Sequence, residues 1–204
     1  VQIEQDEKIT TIIPVKSDAV GFIAFATKFG LIKKTKLREF NRINKNGKIA
    51  LKLNEGDSLI SVQFTTGDSE LMIASKGGKC IRFHENNVRS MGRDTAGVRA
   101  MKLGKDDALV DMLVVDESKT VLTVTTGGYG KRSNIDDYRV QGRAGKGIKA
   151  GTFNEITGSL INLKQVSDDD DIMIISDGGT IIRMHCSSIS TIGRAARGVR
   201  LMRL

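Results

Sequence analysis

The sequence predicts an all-β, propeller-like fold in which four blades of about four antiparallel strands form one domain over residues 1–204. Three observations predict it: an internal repeat near fifty residues, short β-branched runs inside each repeat, and a composition with 22 Gly but one Pro. The repeat is counted directly. Thr27, Ser75, Thr125 and Ser176 each end an apolar run three residues before a turn glycine, at Gly30, Gly78, Gly128 and Gly179. Four residues after that glycine comes a cation (Lys34, Arg82, Arg132, Arg183), and ten after it a bulky residue (Phe40, Val88, Tyr138, Ile189). A second glycine follows at Gly47, Gly97, Gly147 and Gly198, and six residues further lies Leu53, Leu103, Phe153 or Leu204. With Ile3 in the same phase the marks are 50, 50, 50 and 51 residues apart, giving units of approximately 3–53, 54–103, 104–153 and 154–204.

Each element of a unit has its own cause. Apolar runs of four to seven residues bounded by Gly, Asp or Asn suit short strands better than helices. The turn glycines follow Phe29, Gly77, Gly127 and Gly178, which suits hairpin turns that need positive φ. About four strands fit a unit, and four strands repeating near fifty residues is the pattern of propeller blades, whose sheets bury their faces against one another. Two sandwiches of two units each are the alternative. Cys80 and Cys186 lack a Cys-x-x-Cys spacing and read as small packing residues. No apolar run approaches the ~20 residues a bilayer requires, and no signal-peptide pattern opens the chain, so it reads as cytosolic. Val1 is not an initiator Met and the phase opens on the closing residues of an earlier unit, which points to a piece of a longer protein.

Charge follows the repeat. The net charge is +8, but its distribution says more than its size. Residues 38–53, 88–103, 138–153 and 189–204 hold 17 Lys and Arg against only Glu39 and Asp94, a net of +15, while the other 140 residues are at −7. Ordinary solvated faces intersperse both signs. Windows at one phase of a propeller would set four basic loops along one rim, a curved positive track suited to a bent polyanion whose counterions are released on binding. Phe40, Tyr138 and Phe153 are the only aromatics in these windows. Stacking on single-stranded bases is therefore poorly supported and duplex DNA is the better ligand. No recognition helix is apparent, so contact should be largely to the backbone and weakly sequence-specific.

Three of the windows carry a motif: residues 91–97, residues 192–198, and the run Gln141, Gly142, Arg143, Ala144, Gly145, Lys146, Gly147. These resemble degenerate forms of the gyrase-A box, Q-(K/R)-R-G-G-(K/R)-G, of the C-terminal DNA-wrapping domain of bacterial gyrase A proteins. Gln141 to Gly147 departs from that box at Gly142 and Ala144. The first unit departs further, being two residues shorter between Phe40 and Gly47, with Ile43 where the others have Arg93, Arg143 and Arg194. Stretches 30–35, 46–51 and 128–132 are also similar, so the resemblance covers essentially the whole chain. It implies a six-bladed β-pinwheel, a propeller relative whose neighbouring blades exchange a strand, with this chain holding the last four blades. It also implies a chiral wrap that presents DNA for strand passage and negative supercoiling.

By that resemblance the partners are duplex DNA, the rest of gyrase A, and gyrase B in an A2B2 complex, at the chromosome in the bacterial cytoplasm. The isolated domain is expected to be monomeric. Tyrosine cleavage, ATP and magnesium belong elsewhere in such a complex, so no catalytic residue, metal or cofactor is expected here. The corresponding domain of topoisomerase IV and a propeller that docks proteins are the alternative readings. Arg93, Arg143, Lys146, Arg194 and Arg197 are the first candidates for DNA contact, followed by Arg99, Lys149, Arg200, Lys45 and Lys48. The competing role for the arginines is to fix carbonyls at blade junctions. Box glycines read as conformational. Tyr138 reads as packing and Tyr129 as a turn or strand position, His84 and His185 have no catalytic partner at a recognisable spacing, and Asp168 to Asp171 lacks the glycine and distal Glu of a calcium loop.

Overall fold

The computed structural model describes residues 9–42, 44 and 47–204. The first unit contributes β1 (Phe22–Thr27) and β2 (Leu31–Lys36). The second contributes β3 (Leu59–Thr65), β4 (Glu70–Ser75), β5 (Lys79–His84) and β6 (Val98–Arg99). The third contributes β7 (Leu109–Val114), β8 (Thr120–Thr125), β9 (Tyr129–Ser133) and β10 (Ile148–Lys149). The fourth contributes β11 (Leu160–Val166), β12 (Asp171–Ile175), β13 (Ile181–His185) and β14 (Val199–Arg200). The fold is all-β, with four strands in each of the last three units.

The repeated hydroxyl and glycine close the four hairpins. Thr27, Ser75, Thr125 and Ser176 accept the N–H of the residue four ahead at 3.3, 3.3, 3.3 and 3.1 Å. The turn glycine donates to the same residue's carbonyl at 2.9–3.0 Å and takes φ between +74° and +89°. That left-handed conformation is easily reached only without a Cβ.

The sheets cut across the repeat. Blade 1 has the order β3-β1-β2-β6, blade 2 β10-β5-β4-β7, and blade 3 β11-β8-β9-β14. A hairpin from one unit is thus flanked on both edges by strands from the next unit. The cause is the two rows of unpaired N–H and C=O groups that an isolated hairpin would expose. Blade 4 is the hairpin β12–β13, two strands among the described residues. Its outward side chains Met173, Ile175 and Ile181 are exposed, whereas both faces of the β4–β5 and β8–β9 hairpins are largely buried.

Within each full blade the long borrowed strand and the short one lie on opposite edges. The long strands β3, β7 and β11 pack side by side and form the hub. Between successive blades lies an apolar core. One layer joins Ala24 and Ile32 to Leu71, Ile73, Phe83 and Met112; the next joins Met72 and Leu113 to Val121, Tyr138 and Leu163. At the hub the buried Asp111 carboxylate binds Ser61 Oγ at 3.3 Å, the Met112 N–H at 2.8 Å and the Leu163 N–H at 3.3 Å. It thereby ties units two, three and four.

In the three full blades the cation four residues after the turn glycine is an internal pin, whereas Arg183 is exposed and pairs with Asp171 of its own hairpin. Lys34 forms a buried ion pair with Glu85 at 3.2 Å and donates to its carbonyl at 3.0 Å. Arg82 pairs with Glu70 and Glu117 and reaches the Ile135 carbonyl; Arg132 pairs with Asp168 and reaches the Cys186 carbonyl. In each case the carbonyl opens the 3-10 turn of the following unit: Glu85–Asn87, Ile135–Asp137 or Cys186–Ser188.

Candidate nucleic-acid interface

Each box loop leads into the short strand that closes the preceding blade on the edge away from the hub. Pairing sets Arg99 beside Leu31, Lys149 beside Lys79 and Arg200 beside Tyr129. The second glycine makes this approach possible. A Cβ at Gly97, Gly147 or Gly198 would stand 2.5, 2.4 or 2.7 Å from the carbonyl oxygen of Ile32, Cys80 or Gly130 in the neighbouring strand. These glycines are therefore structural.

The arginine at the third box position is a junction staple. Arg93 donates to the Ile49 carbonyl at 2.9 Å. Arg143 donates to the Asn87 carbonyl at 3.0 Å and to the Arg99 carbonyl, and Arg194 to the Asp137 carbonyl at 2.9 Å and to the Lys149 carbonyl. All three are half-buried. Beneath two of the loops lies a buried lysine: Lys33 donates to the carbonyls of Ala50 (2.5 Å) and Arg93, and Lys131 to those of Gly193 (3.2 Å) and Arg194. Burial pushes both amines down to about 8. In the middle unit Ile81 takes that place, and a Cβ on Gly145 would be 3.6 Å from it.

The remaining candidates fall into separate environments. Lys146, Lys149, Arg197, Arg99 and Arg200 are exposed, and Lys48 is half-buried with its amine 3.3 Å from the Glu39 carbonyl. Lys45, Ile43 and Ile3 lie outside the described residues. Tyr129, a turn-strand position in the sequence, gathers two cations. Arg197 and Arg200 each stand 5.2 Å from its ring centre, and Arg200 donates to its hydroxyl at 2.8 Å. That hydrogen bond, with the charge of both arginines, holds the Tyr129 phenol below its ordinary value.

At the turn corner of blade 2 a cleft of about 640 Å³ is lined by Lys76, Lys79, Lys102, Lys105 and Lys146, with Asp106 and Asp107. Three of these lysines lie outside the basic windows. Ion pairing nevertheless differs between the windows and the rest of the sequence. Among the described residues, the only ion pair made by a window cation is the exposed Arg38–Glu39 contact at 4.0 Å. The others join cations and acids of the remaining sequence.

The remaining chemistry-bearing side chains are packed or paired within the fold. Tyr138 is fully buried and burial pushes its phenol up. His84 contacts Asp68 at 3.1 Å and accepts the Asn86 N–H, while His185 contacts Ser187 at 2.7 Å. Asp168 binds Arg132, Asp170 accepts the Ser167 N–H at 2.7 Å, and Asp171 binds Arg183. Cys80 is buried and its thiol is pushed up to about 12 by burial. Among the described residues no group of His, Cys, Asp or Glu could hold a metal ion, and no helix is long and apolar enough to cross a membrane.

The sequence matches the family described as DNA gyrase C-terminal domain, beta-propeller, in four stretches: residues 21–66, 69–116, 119–167 and 170–204. The DNA gyrase A protein of Escherichia coli (strain K12) is 45% identical over 202 residues, which is 98% of this chain and 23% of that protein. Its counterpart from Staphylococcus epidermidis (strain ATCC 12228 / FDA PCI 1200) is 42% identical over 208 residues, covering 100% of the chain and 23% of its own length. The chain thus spans under a quarter of these curated relatives. A solved DNA gyrase A C-terminal domain superposes with a TM-score of 0.90 at 30% identity, over 100% of this chain and 69% of that one. The C-terminal domain of DNA topoisomerase IV superposes with 0.91 at 23% identity, over 98% and 64%, a likeness of fold alone.

Proposed function

As the chain belongs to the DNA gyrase C-terminal domain family, we propose that it binds duplex DNA along the blade edge carrying β6, β10 and β14 and bends it. The resulting chiral wrap would direct strand passage and negative supercoiling in a parent gyrase. The observation that carries this reading is the division of charge. Outside the basic windows Lys34, Arg82, Lys119, Arg132, Lys164 and Arg183 are paired with acids, while the cations inside them make one weak, exposed ion pair among the described residues. Uncompensated like charge along one edge opposes folding, and a polyanion relieves it.

Bending 20–30 bp by 40–90° costs of order 1–6 kcal/mol, so several loops must share the load. Exposed Lys146, Lys149, Arg99, Arg197 and Arg200 are the proposed phosphate contacts. Arg93, Arg143 and Arg194 set the loop geometry through their staples. The same reading places the chain in a bacterial cytoplasmic A2B2 assembly, with tyrosine cleavage, ATP and magnesium handled by other parts.

Neutralising Lys146 and Arg197 to Gln should weaken binding similarly for unrelated duplex sequences and flatten the dependence of log affinity on log salt by roughly 0.9 per lost contact. An unchanged slope would remove these residues from the interface. A ligation assay on nicked circles reads the wrap: topoisomers shifted to one sign support it, and an unshifted distribution leaves binding without chirality.

A further inference from the structure

The three full blades have the same hydrogen-bond lacing at their turn corners, which makes each a control for the others. The N–H of Lys28, Lys76 or Thr126 donates to the carbonyl of Ser58, Ala108 or Ser159 at 2.8 Å. The N–H of Ala100, Ala150 or Leu201 donates to Gly30, Gly78 or Gly128 at 2.7–2.8 Å. Lys52, Lys102 or Thr152 donates its N–H to the next box loop at Thr95, Gly145 or Ala196, at 3.2, 2.9 and 3.5 Å. The backbone scaffold is one design used three times.

Its side chains are not. Lys105 has Glu55 and Glu155 at the equivalent positions, Lys79 has Leu31 and Tyr129, and Lys76 has Lys28 and Thr126. A corner therefore folds without these lysines and with an acid in place of one of them. Blade 2 alone lines its corner with five lysines, and Lys79 stands directly across the ladder from a sixth, Lys149. Like charges directly opposite across a ladder are destabilising. None of the six makes an ion pair among the described residues. Asp107, whose Oδ1 accepts the N–H groups of Gly77 at 2.8 Å and Ala108 at 2.9 Å as Asp57 does those of Phe29 and Ser58, and its neighbour Asp106 offset the five lysines only in part, leaving the lining net positive.

We propose that the turn corner of blade 2 is a discrete phosphate-anchoring cleft for the DNA backbone, in which Lys76, Lys79 and Lys105 join Lys102 and Lys146 around the phosphates. This rests on the duplex-binding reading and sharpens it. The grip on DNA is uneven, strongest where units two and three meet and weaker at the corners of blades 1 and 3. The cleft's concavity lets amines from three loops of two units converge on one stretch of backbone, which a flat rim does not allow.

The test compares the variant Lys76→Gln/Lys79→Gln/Lys105→Gln with a charge-matched control, Lys16→Gln/Lys36→Gln/Lys119→Gln. Both are titrated with a labelled linear duplex over a range of salt, and their thermal midpoints are measured. The cleft variant should bind roughly tenfold more weakly at moderate salt and lose about 0.9 of salt slope for each lysine that touches a phosphate, with the control close to wild type. Its midpoint should be unchanged or higher, since mutual repulsion is removed. Equal losses in the two variants, or a lower midpoint for the cleft variant, would overturn the anchor while leaving duplex binding in place. Absence of duplex binding by the unaltered chain would instead remove the functional reading and the anchor together.

Discussion

Ala144 occupies the left-handed region at φ +69° in the middle of the third unit's box loop, with its N–H donating 2.8 Å to the Ala100 carbonyl. The full gyrase-A box has glycine at this place, and the structure gives the reason: a Cβ there is strained whatever space surrounds it. Ala144→Gly should stabilise the chain by about 0.5–1 kcal/mol, read as a higher urea midpoint at unchanged m-value. Arg143 makes a complementary case. Its guanidinium holds the Asn87 and Arg99 carbonyls, so Arg143→Gln should lower stability by about 1 kcal/mol, discounted from a buried charged hydrogen bond because the group is half-exposed. Lys146→Gln next to it should leave the midpoint unmoved while lowering duplex affinity. From the sequence both residues fall on the DNA side, because a guanidinium looks the same whether it faces a phosphate or a carbonyl. Only neighbours 44 and 56 residues away distinguish the two. Lys33 and Lys131 are hidden for the same reason, whereas Tyr138 and the box glycines are legible because each recurs at a fixed phase of the repeat.

At the scale of strands and turns, the hairpins are readable because hydroxyl, glycine and cation recur at fixed offsets and the hydroxyl and glycine act within a few residues, although the cation reaches into the following unit. The exchange of strands between units is non-local and enters only through the family resemblance, since periodicity alone does not say which sheet a strand joins. The pins between units set the pH response. Burial alone would raise the Glu85 carboxyl, but the N–H groups of Ser69 and Gly67, the Thr65 hydroxyl and the Lys34 ammonium outweigh it and hold it below the ordinary carboxylate range. A depressed folded-state value means stability that is present above the unfolded value and lost as pH falls through the folded one. Glu85→Gln should therefore lower the thermal midpoint near neutrality and flatten its decline in acid, as followed by circular dichroism. Lys33 and Lys131 have the opposite arithmetic. With folded values near 8 against 10.5, their protonated forms are disfavoured on folding, so stability should rise between those pH values and the rise should shrink in Lys131→Met.

Across the whole molecule each blade touches mainly its neighbours, so stability is distributed along a line of junctions rather than held in one centre. Blade 4 has a junction on one side and exposed Met173, Ile175 and Ile181 on the other. Hydrogen exchange should accordingly be fastest at β12 and β13 and slowest in β4, β5 and β8, with uniform protection counting against this picture. The hub adds a second link through Asp111, which spans three units. Burial raises its carboxyl, yet both oxygens accept, Oδ1 from Ser61 Oγ and the Met112 N–H and Oδ2 from the Leu163 N–H, so Asp111→Asn turns an NH2 toward one of these donors and a lowered thermal midpoint at neutral pH is the expected result. The borrowed strands have a final consequence for how such a molecule can change length over evolutionary time. Because units two and three each lend two strands backward and receive two from ahead, a gene duplication or deletion of one whole period would splice in or out without leaving any sheet short in the interior. Copy number is free to drift while the seams persist, and individual boxes can erode one at a time.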